Sequence, residues 1–301
     1  MTPGYHTWDP SMVVFFSFAI FFAMIFSDAG YALMLGAILI VMWRKLSHTR
    51  DDIRLRNLFL ALVTASLAYG VMVGSYFGIN PPEGSVLSSL QVFDMKDQGG
   101  MMRLSIIVGV LHLILANLVT AWRYRRSSRF LAPLGWVAMI LGGLIAGFKL
   151  VGDDPLGLPL HLDVVLLAGG AVAILFFSSE RPFSAGIGAL GLRLLDGVMN
   201  LSGVTKAFGD VLSYLRLFAL GLASSQLAMT FNEIAGNTAK SRGIGILAAI
   251  LILVVGHGLN FTLAVIGGVV HGLRLNCIEF FNWSLPEEGY PFQAFNKKAT
   301  Q

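Results

Sequence analysis

Charge is scarce in this sequence. Asp, Glu, Lys and Arg make up 13% of its 301 residues, against the roughly 25% typical of soluble domains, which excludes an ordinary solvated surface. A single cysteine, Cys277, excludes an intrachain disulfide. There is no G-x-x-x-x-G-K-[ST] loop to cradle nucleotide phosphates and no paired Cys/His spacing for a metal, so neither a cofactor nor a metal is expected. No Lys or Arg precedes Arg44, so a secretory leader, which needs a basic start, is not expected. The longest polar interval is the 282–301 tail, which leaves no soluble domain to house hydrolysis. Catalysis of its own is therefore not expected, and energy for any work must come from elsewhere.

Apolar residues fill the space that charge leaves. They account for 55% of the chain, with 34 glycines and a mean hydropathy of +0.73. Apolar runs cover about 12–43, 57–78, 102–122, 131–150, 162–178, 204–236 and 243–281, and about 20 residues suffice for one helical crossing. The chain is read as an all-α integral membrane protein. It divides into an N-terminal junction at 1–11, a transmembrane domain at 12–281 and a tail at 282–301.

The placement of the basic residues orients it. The 44–56 connection "RKLSHTRDDIRLR" and the 123–129 connection "RYRRSSR" carry nine Lys or Arg between them and are expected in the cytoplasm. The 79–101 loop has one lysine against three acids, and 151–161 has acids only, so these belong outside. The 179–203 segment, with Arg181 and Arg193, and the tail return inside. The short 237–242 turn falls outside despite Lys240 and Arg242. Net charge of +4 thus reflects membrane topology and does not signal nucleic acid.

"FSDAGY", residues 26–31, offers a tight turn near 27–30, with Gly30 supplying backbone freedom and Asp28 bonding to its own backbone. Splitting the first run there gives about eight spans with both termini cytoplasmic, and a single long tilted helix is the alternative. The 184–200 segment "SAGIGALGLRLLDGVMN" reads as an amphipathic interfacial helix.

One charge resists this scheme. Arg216 lies within "DVLSYLRLFALGLASSQLA", residues 210–228, roughly 20 Å along its helix and so near mid-membrane. An arginine there costs on the order of 3 kcal/mol on the insertion scale and does not lose its proton. It needs water or an anion. At about 100° per residue its face carries Gly209, Ser213, Ala219, Leu220, Ala223, Leu227 and Thr230, with Ser224 and Gln226 on the flanks. Small residues admit a close neighbour, while Ser213, Ser224 and Gln226 can hold water or ions. The competing reading is an internal packing face with Arg216 paired to Asp210 or Asp28. In "FTLAVIGGVVHGLRLNCIEFF", residues 261–281, Arg274 shares a side with His271 and Gly267, and Glu279 follows; a snorkelling arginine explains it equally well. His112 and His257 are either proton-path members or buried donors. Trp43, Trp122 and Trp283 mark the cytoplasmic interface.

These stretches resemble a known family. "SYLRLFALGLASSQLA", 213–228, is similar to the arginine helix of the V-type and A-type ATPase membrane subunit, subunit a in eukaryotes and subunit I in prokaryotes. In chain order, "FFAMIFSDAGYALML" at 21–35 resembles its FGD-x-GYG hairpin, "RLSIIVGVLHLIL" at 103–115 its third conserved block, and "VHGLRLNCIEFF" at 270–281 its second-arginine helix. "EEGYPFQAF" at 287–295 is similar to the family ending.

The resemblance implies a rotary ATPase stator subunit that forms proton or sodium half-channels against a turning ring of c/K-type proteolipid subunits. It is non-catalytic, with ATP hydrolysis or synthesis in other subunits. Two long tilted helices, about 204–236 and 243–281, would face the ring. Arg216 and Arg274 match the family's two ion-translocating arginines. Gly209, Ala219 and Ala223 would pack against the ring, and Ser213, Ser224, Gln226, Asp210, His271 and Glu279 are candidates to line the half-channels. Further implied partners are peripheral-stalk and central-stalk subunits and membrane lipid, in a prokaryotic plasma membrane. Departures exist. Ala264 replaces a eukaryotic glutamate, and Ser224 and Asp210 stand where eukaryotic members have histidine. The family's N-terminal cytoplasmic domain, which binds the stalks, is not represented. Two rivals remain: a self-contained transporter that binds an anionic substrate at Arg216, and a non-transporting scaffold.

Overall fold

A backbone break at Ser27 and Asp28 sets the architecture of the first half. In the computed structural model, residues 2–3, 8–94, 97–151, 161–179, 181, 187–241, 243–285 and 288–289 are described. Helix α1 (Ser11–Phe26) stops where Ser27 takes a left-handed conformation, φ 36°, and α2 (Ala29–Met42) starts from an extended Asp28 whose carboxylate accepts from Tyr31 N at 3.0 Å. The same carboxylate accepts from Ser75 Oγ at 2.6 Å and from the amides of Phe77 and Gly78 at 2.9 Å each. Asp28 therefore does more than serve its own turn. Gly30 corrects its expected role as well: its φ is not left-handed, and glycine is required because any Cβ would run into the Phe77 ring.

The segment that Asp28 grips follows α3 (Arg50–Val73). This helix opens on a reciprocal cap between Thr49 and Asp52, which satisfies two of its free amides, and it closes on Gly74 at φ 73°. Gly36 of α2 faces Val63, and Gly70 lies against the backbone of Ala29, so α2 and α3 run antiparallel. After the one-turn helix α4 (Val86–Ser89), α5 (Gln98–Arg123) leads to the pair α6 (Leu131–Leu150) and α7 (Leu162–Phe177). Gly135 and Gly170 face each other's carbonyls across that pair, the close approach that small residues permit. Lys149 bonds Asp163 at 2.8 Å.

Helix α8 (Ile187–Leu201) exposes Leu192, Leu195, Val198 and Met199 and buries Arg193, which donates to the Phe176 carbonyl at 2.8 Å. Residues 184–186 of the expected interfacial helix lie outside the described residues, as do Asp153, Asp154, Arg242 and most of the tail, including 290–295 of the stretch that resembles the family ending.

Helix α9 (Val204–Ser213) is followed by α10 (Leu215–Ala239) with only Tyr214 between them. Helix α11 (Ile244–Arg274) continues into a π-helical turn, Leu275–Phe280, and a last turn α12 (Phe281–Ser284). Aromatic residues of α1 seat into the glycines of α11: Phe18 at Gly272 and Phe22 at Gly268. Phe26 meets Phe261 edge to face at 5.8 Å. Two apolar clusters result. One gathers Phe18, Phe22, Phe26, Tyr31 and Leu62, the other Phe21, Leu113, Tyr214, Leu217 and Leu275. Two-residue strands β1 (Thr2–Pro3) and β2 (Glu288–Gly289) pair antiparallel near the two ends.

Among the described residues five helical runs are long and apolar enough to cross a membrane: Arg50–Val73, Gln98–Arg123, Ser128–Leu150, Gly188–Ala239 and Ile244–Ser284. Three shorter apolar helices, α1, α2 and α7, accompany them. The protein is an all-α integral membrane protein.

Candidate functional site

Tyr214 decides which way Arg216 faces. The Tyr214 ring is fully buried, its hydroxyl bonds His112 Nδ1 at 2.8 Å, and it meets Phe21 edge to face at 5.7 Å. Leu217 is buried beside it. These anchors turn the opposite face of α9 and α10 outward, so Gly209, Ala219, Ala223, Gln226 and Thr230 are exposed while Ser213 and Arg216 are half-buried. A Cβ on Gly209 would meet nothing within 4 Å. Packing within this chain therefore does not call for a glycine there.

Arg216 has no ion pair among the described residues, and its Nη1 is buried without a hydrogen-bond partner. The two acids first considered for it are engaged elsewhere. Asp28 holds the 75–78 segment, and Asp210 accepts from Trp283 Nε1 at 2.7 Å. That bond gives Trp283 a contact beyond its expected interfacial position, and Lys206 lies 5.5 Å above its ring. Trp43 and Trp122 stay exposed under Arg56 and Arg125.

The π-helical turn builds the other half of the site. Residues five apart in an α-helix point about 140° away from each other, whereas π turns, which recur at functional sites, bond residue i to i+5. Here the turn begins just after Arg274, and Arg274 Nε stands 4.0 Å from Glu279 Oε1. Glu279 is 2% exposed and its Oε2 has no partner. His271 Nδ1 is likewise buried and unpartnered. The charges of Arg216 and Arg274 act on both His271 and Glu279, and Ser213 neighbours Glu279. Five of the residues singled out from sequence, Ser213, Arg216, His271, Arg274 and Glu279, are thus gathered in one cluster holding three unsatisfied polar atoms.

The remaining candidates lie apart from it. Ser224 turns inward, away from the stripe it was expected to flank, and donates to Asn260 Oδ1 at 3.2 Å. Ala264 is buried in the apolar cluster that also holds Phe18, Phe22 and Phe26 of α1. Gln226 stays on the outward stripe. His112, besides bonding Tyr214, stacks on Phe280 at 4.5 Å. Sequence reading passed over Tyr31, Asn232 and Asn260, although amides within an apolar span are themselves a signal. Asn260 bonds both Ser224 and Tyr31, and Asn232 bonds His257.

No family model matches the chain. Curated relatives do. V-type ATP synthase subunit I of Chlamydia pneumoniae is 26% identical across 98% of this chain and 52% of its own length. V-type ATP synthase subunit I 1 of Treponema pallidum is 30% identical across 93% of this chain and 46% of its own. A-type ATP synthase subunit I of Methanocaldococcus jannaschii is 27% identical across 97% and 46%. The chain therefore spans about half the length of the curated relatives it matches. Over nearly all of its own residues, it is a homologue of the V-type and A-type ATP synthase subunit I proteins of bacteria and archaea.

Proposed function

We propose that the chain is the static membrane partner of a ring of carboxylate-bearing proteolipid subunits in a rotary V/A-type ATPase, and that it forms the ion path against that ring. The observation that carries this reading is Arg216, an outward-facing charge with an unpartnered Nη1 on a stripe of small residues. Gly209, Ala219 and Ala223 let a second helix come close to that stripe. An open Gly209 leaves room there for a helix of another chain.

The chemistry follows from the fixed charge. A guanidinium beside a carboxylate favours its ionised form, so a ring site arriving protonated, or loaded with another cation, releases it as it meets Arg216. Glu279, His271 and Ser213 lie on the side of Arg216 toward the arginine-rich connections and receive the ion there. Arg274 fixes Glu279 and adds a second positive barrier. Because Arg216 blocks a straight leak between the two half-paths, transport requires the ring to turn. Asp210, tied to Trp283, shapes the arginine-rich mouth.

ATP hydrolysis or synthesis belongs to other subunits of the complex. Peripheral-stalk and central-stalk contacts belong with the half of the relatives that this chain does not span. The membrane is a prokaryotic plasma membrane, crossed eight times by counting α1, α2 and α7 with the five long runs, with both termini and the arginine-rich connections in the cytoplasm.

Arg216→Ala in the assembled complex, reconstituted into vesicles, is expected to abolish ATP-driven ion pumping while subunit composition stays unchanged. Pumping at the unsubstituted rate overturns the proposal. Uptake of an anionic substrate by the chain alone would support the self-contained transporter.

A further inference from the structure

We infer that the groove between α1 and α5 seats one anionic phospholipid, with an acyl chain in the groove and the headgroup among the arginines that follow α5. This goes beyond the rotary reading and stands on the membrane fold alone. Large apolar side chains form the two walls: Met12, Phe16 and Ile20 from α1, and Val108, Leu111 and Leu115 from α5. Between them is a cavity of about 440 Å³. Packed protein leaves few voids larger than a water molecule, so in a bilayer something fills this one. Water does not suit it, because a bound water needs about two to four polar partners. Ser17 and His112 are the two polar residues on the floor. Ser17 Oγ is already bonded to Asn276 Oδ1 at 2.5 Å and to the Val13 carbonyl at 2.7 Å, and His112 Nε2 is buried. What the groove offers is hydrocarbon surface.

Its dimensions match one leaflet. The chain reverses between α1 and α2, between α2 and α3, and between α3 and α5, so the start of α1 and the end of α5 share the arginine-rich end. Met12 and Ile20 stand about 12 Å apart along α1. Val108, Leu111, Leu115 and Trp122 recur at helical spacing on one face of α5. From Val108 to Trp122 is about 21 Å along the helix, and half a bilayer with its headgroup layer is about 20–22 Å thick. An acyl chain that ends at Val108 therefore has its headgroup at the level of Trp122.

Charge selects the headgroup. The connection "RYRRSSR", residues 123–129, holds four arginines and no acid. Arg125 lies over the exposed Trp122 ring at 4.5 Å. Neither Arg125 nor Arg126, both exposed, forms an ion pair with a described residue. Asp9, beside the start of α1, accepts from Ser11 N at 2.9 Å, and the four arginines outweigh it. Basic side chains at the edge of a pocket between spans attract anionic headgroups. A transmembrane helix of another chain suits the groove less, because helix interfaces favour small residues and both walls carry large ones. Phe21 and His112 on the floor also hold Tyr214, so a seated acyl chain packs against the braces of the residue two positions from Arg216.

The full chain in nanodiscs of equal phosphatidylglycerol and phosphatidylcholine tests this, with one lipid at a time carrying a diazirine at the end of its acyl chain. Illumination is expected to attach phosphatidylglycerol to the peptides holding Ile20 and Val108 about tenfold more than phosphatidylcholine. It should also exceed attachment at Leu251 and Val254, exposed residues of α11 that line no groove. Arg125→Gln and Arg126→Gln should each lower attachment about fivefold, the effect of one basic side chain at an anionic surface. Leu111→Trp, which fills the groove from an exposed position, should abolish it while the chain stays monodisperse. Should Leu111→Trp fail to fold, Phe16→Trp takes its place. Equal attachment of the two lipids overturns the inference, as does a phosphatidylglycerol yield at Leu251 that matches Val108, which marks an ordinary lipid annulus. Attachment that survives a groove-filling variant overturns it too. A polypeptide that co-purifies with the chain and blocks attachment gives the groove to a protein and overturns it as well. None of these outcomes bears on pumping by Arg216→Ala, so the rotary reading stands or falls separately.

Discussion

Asp28 and Arg216 are both charges set among apolar helices, and the chain treats them in opposite ways. Four donors from two segments converge on Asp28, whereas Arg216 keeps an unpartnered Nη1 and faces outward. Desolvating a charge is tolerated when hydrogen bonds replace the lost water. Asp28 meets that condition within the fold and so acts as a structural clasp. Arg216 keeps one guanidinium nitrogen unsatisfied among the described residues, and the function proposed above supplies its partner from a second chain.

The contrast can be broken most forcefully at the clasp. Asp28→Ala strands the Ser75 hydroxyl and three backbone amides, a loss of about 3–5 kcal/mol by analogy with breaking other buried charged networks. Denaturant titration of the detergent-solubilised chain measures it, and an unchanged midpoint would refute the clasp. Gly209→Ala should have the opposite sign. Replacing a helical glycine stabilises the isolated chain by about 1 kcal/mol, yet the added methyl group should hinder assembly with the ring, read as a lower yield of intact complex. Arg216→Ala should move the stability of the isolated chain least, by less than about 1 kcal/mol, because it has no ion pair to break among the described residues. A large loss of stability there would mean that Arg216 is satisfied within the chain after all.

Much of the site was legible in sequence, because helical periodicity is a strong signal. The outward stripe from Gly209 to Thr230 follows from about 100° of turn per residue, and the cluster of Ser213, Arg216, His271, Arg274 and Glu279 came from residues chosen in advance. Three features resisted for identifiable reasons. Asp28 reaches residues 47 to 50 positions away, a distance at which no local pattern operates. Ser224 sits at the edge of its stripe, and the amide of Asn260 on another helix draws it inward. The π turn at 275–280 changes the residue spacing at the point where Arg274 and Glu279 meet, so α-helical counting set them apart. The turn at 27–30 was visible, but its glycine was credited with the wrong property: Ser27 bends the backbone, and Gly30 makes room for Phe77.

Tyr214 also has a mechanical consequence. An object sweeping past the outward face of α10 would push the helix sideways, and the junction between α9 and α10 is where such a lever would bend. The Tyr214 hydroxyl is fastened to α5 through His112, and its ring is wedged against Phe21 of α1. Were a ring to load α10 at Arg216, as the proposed function requires, the load would pass through Tyr214 to two neighbouring helices within two residues.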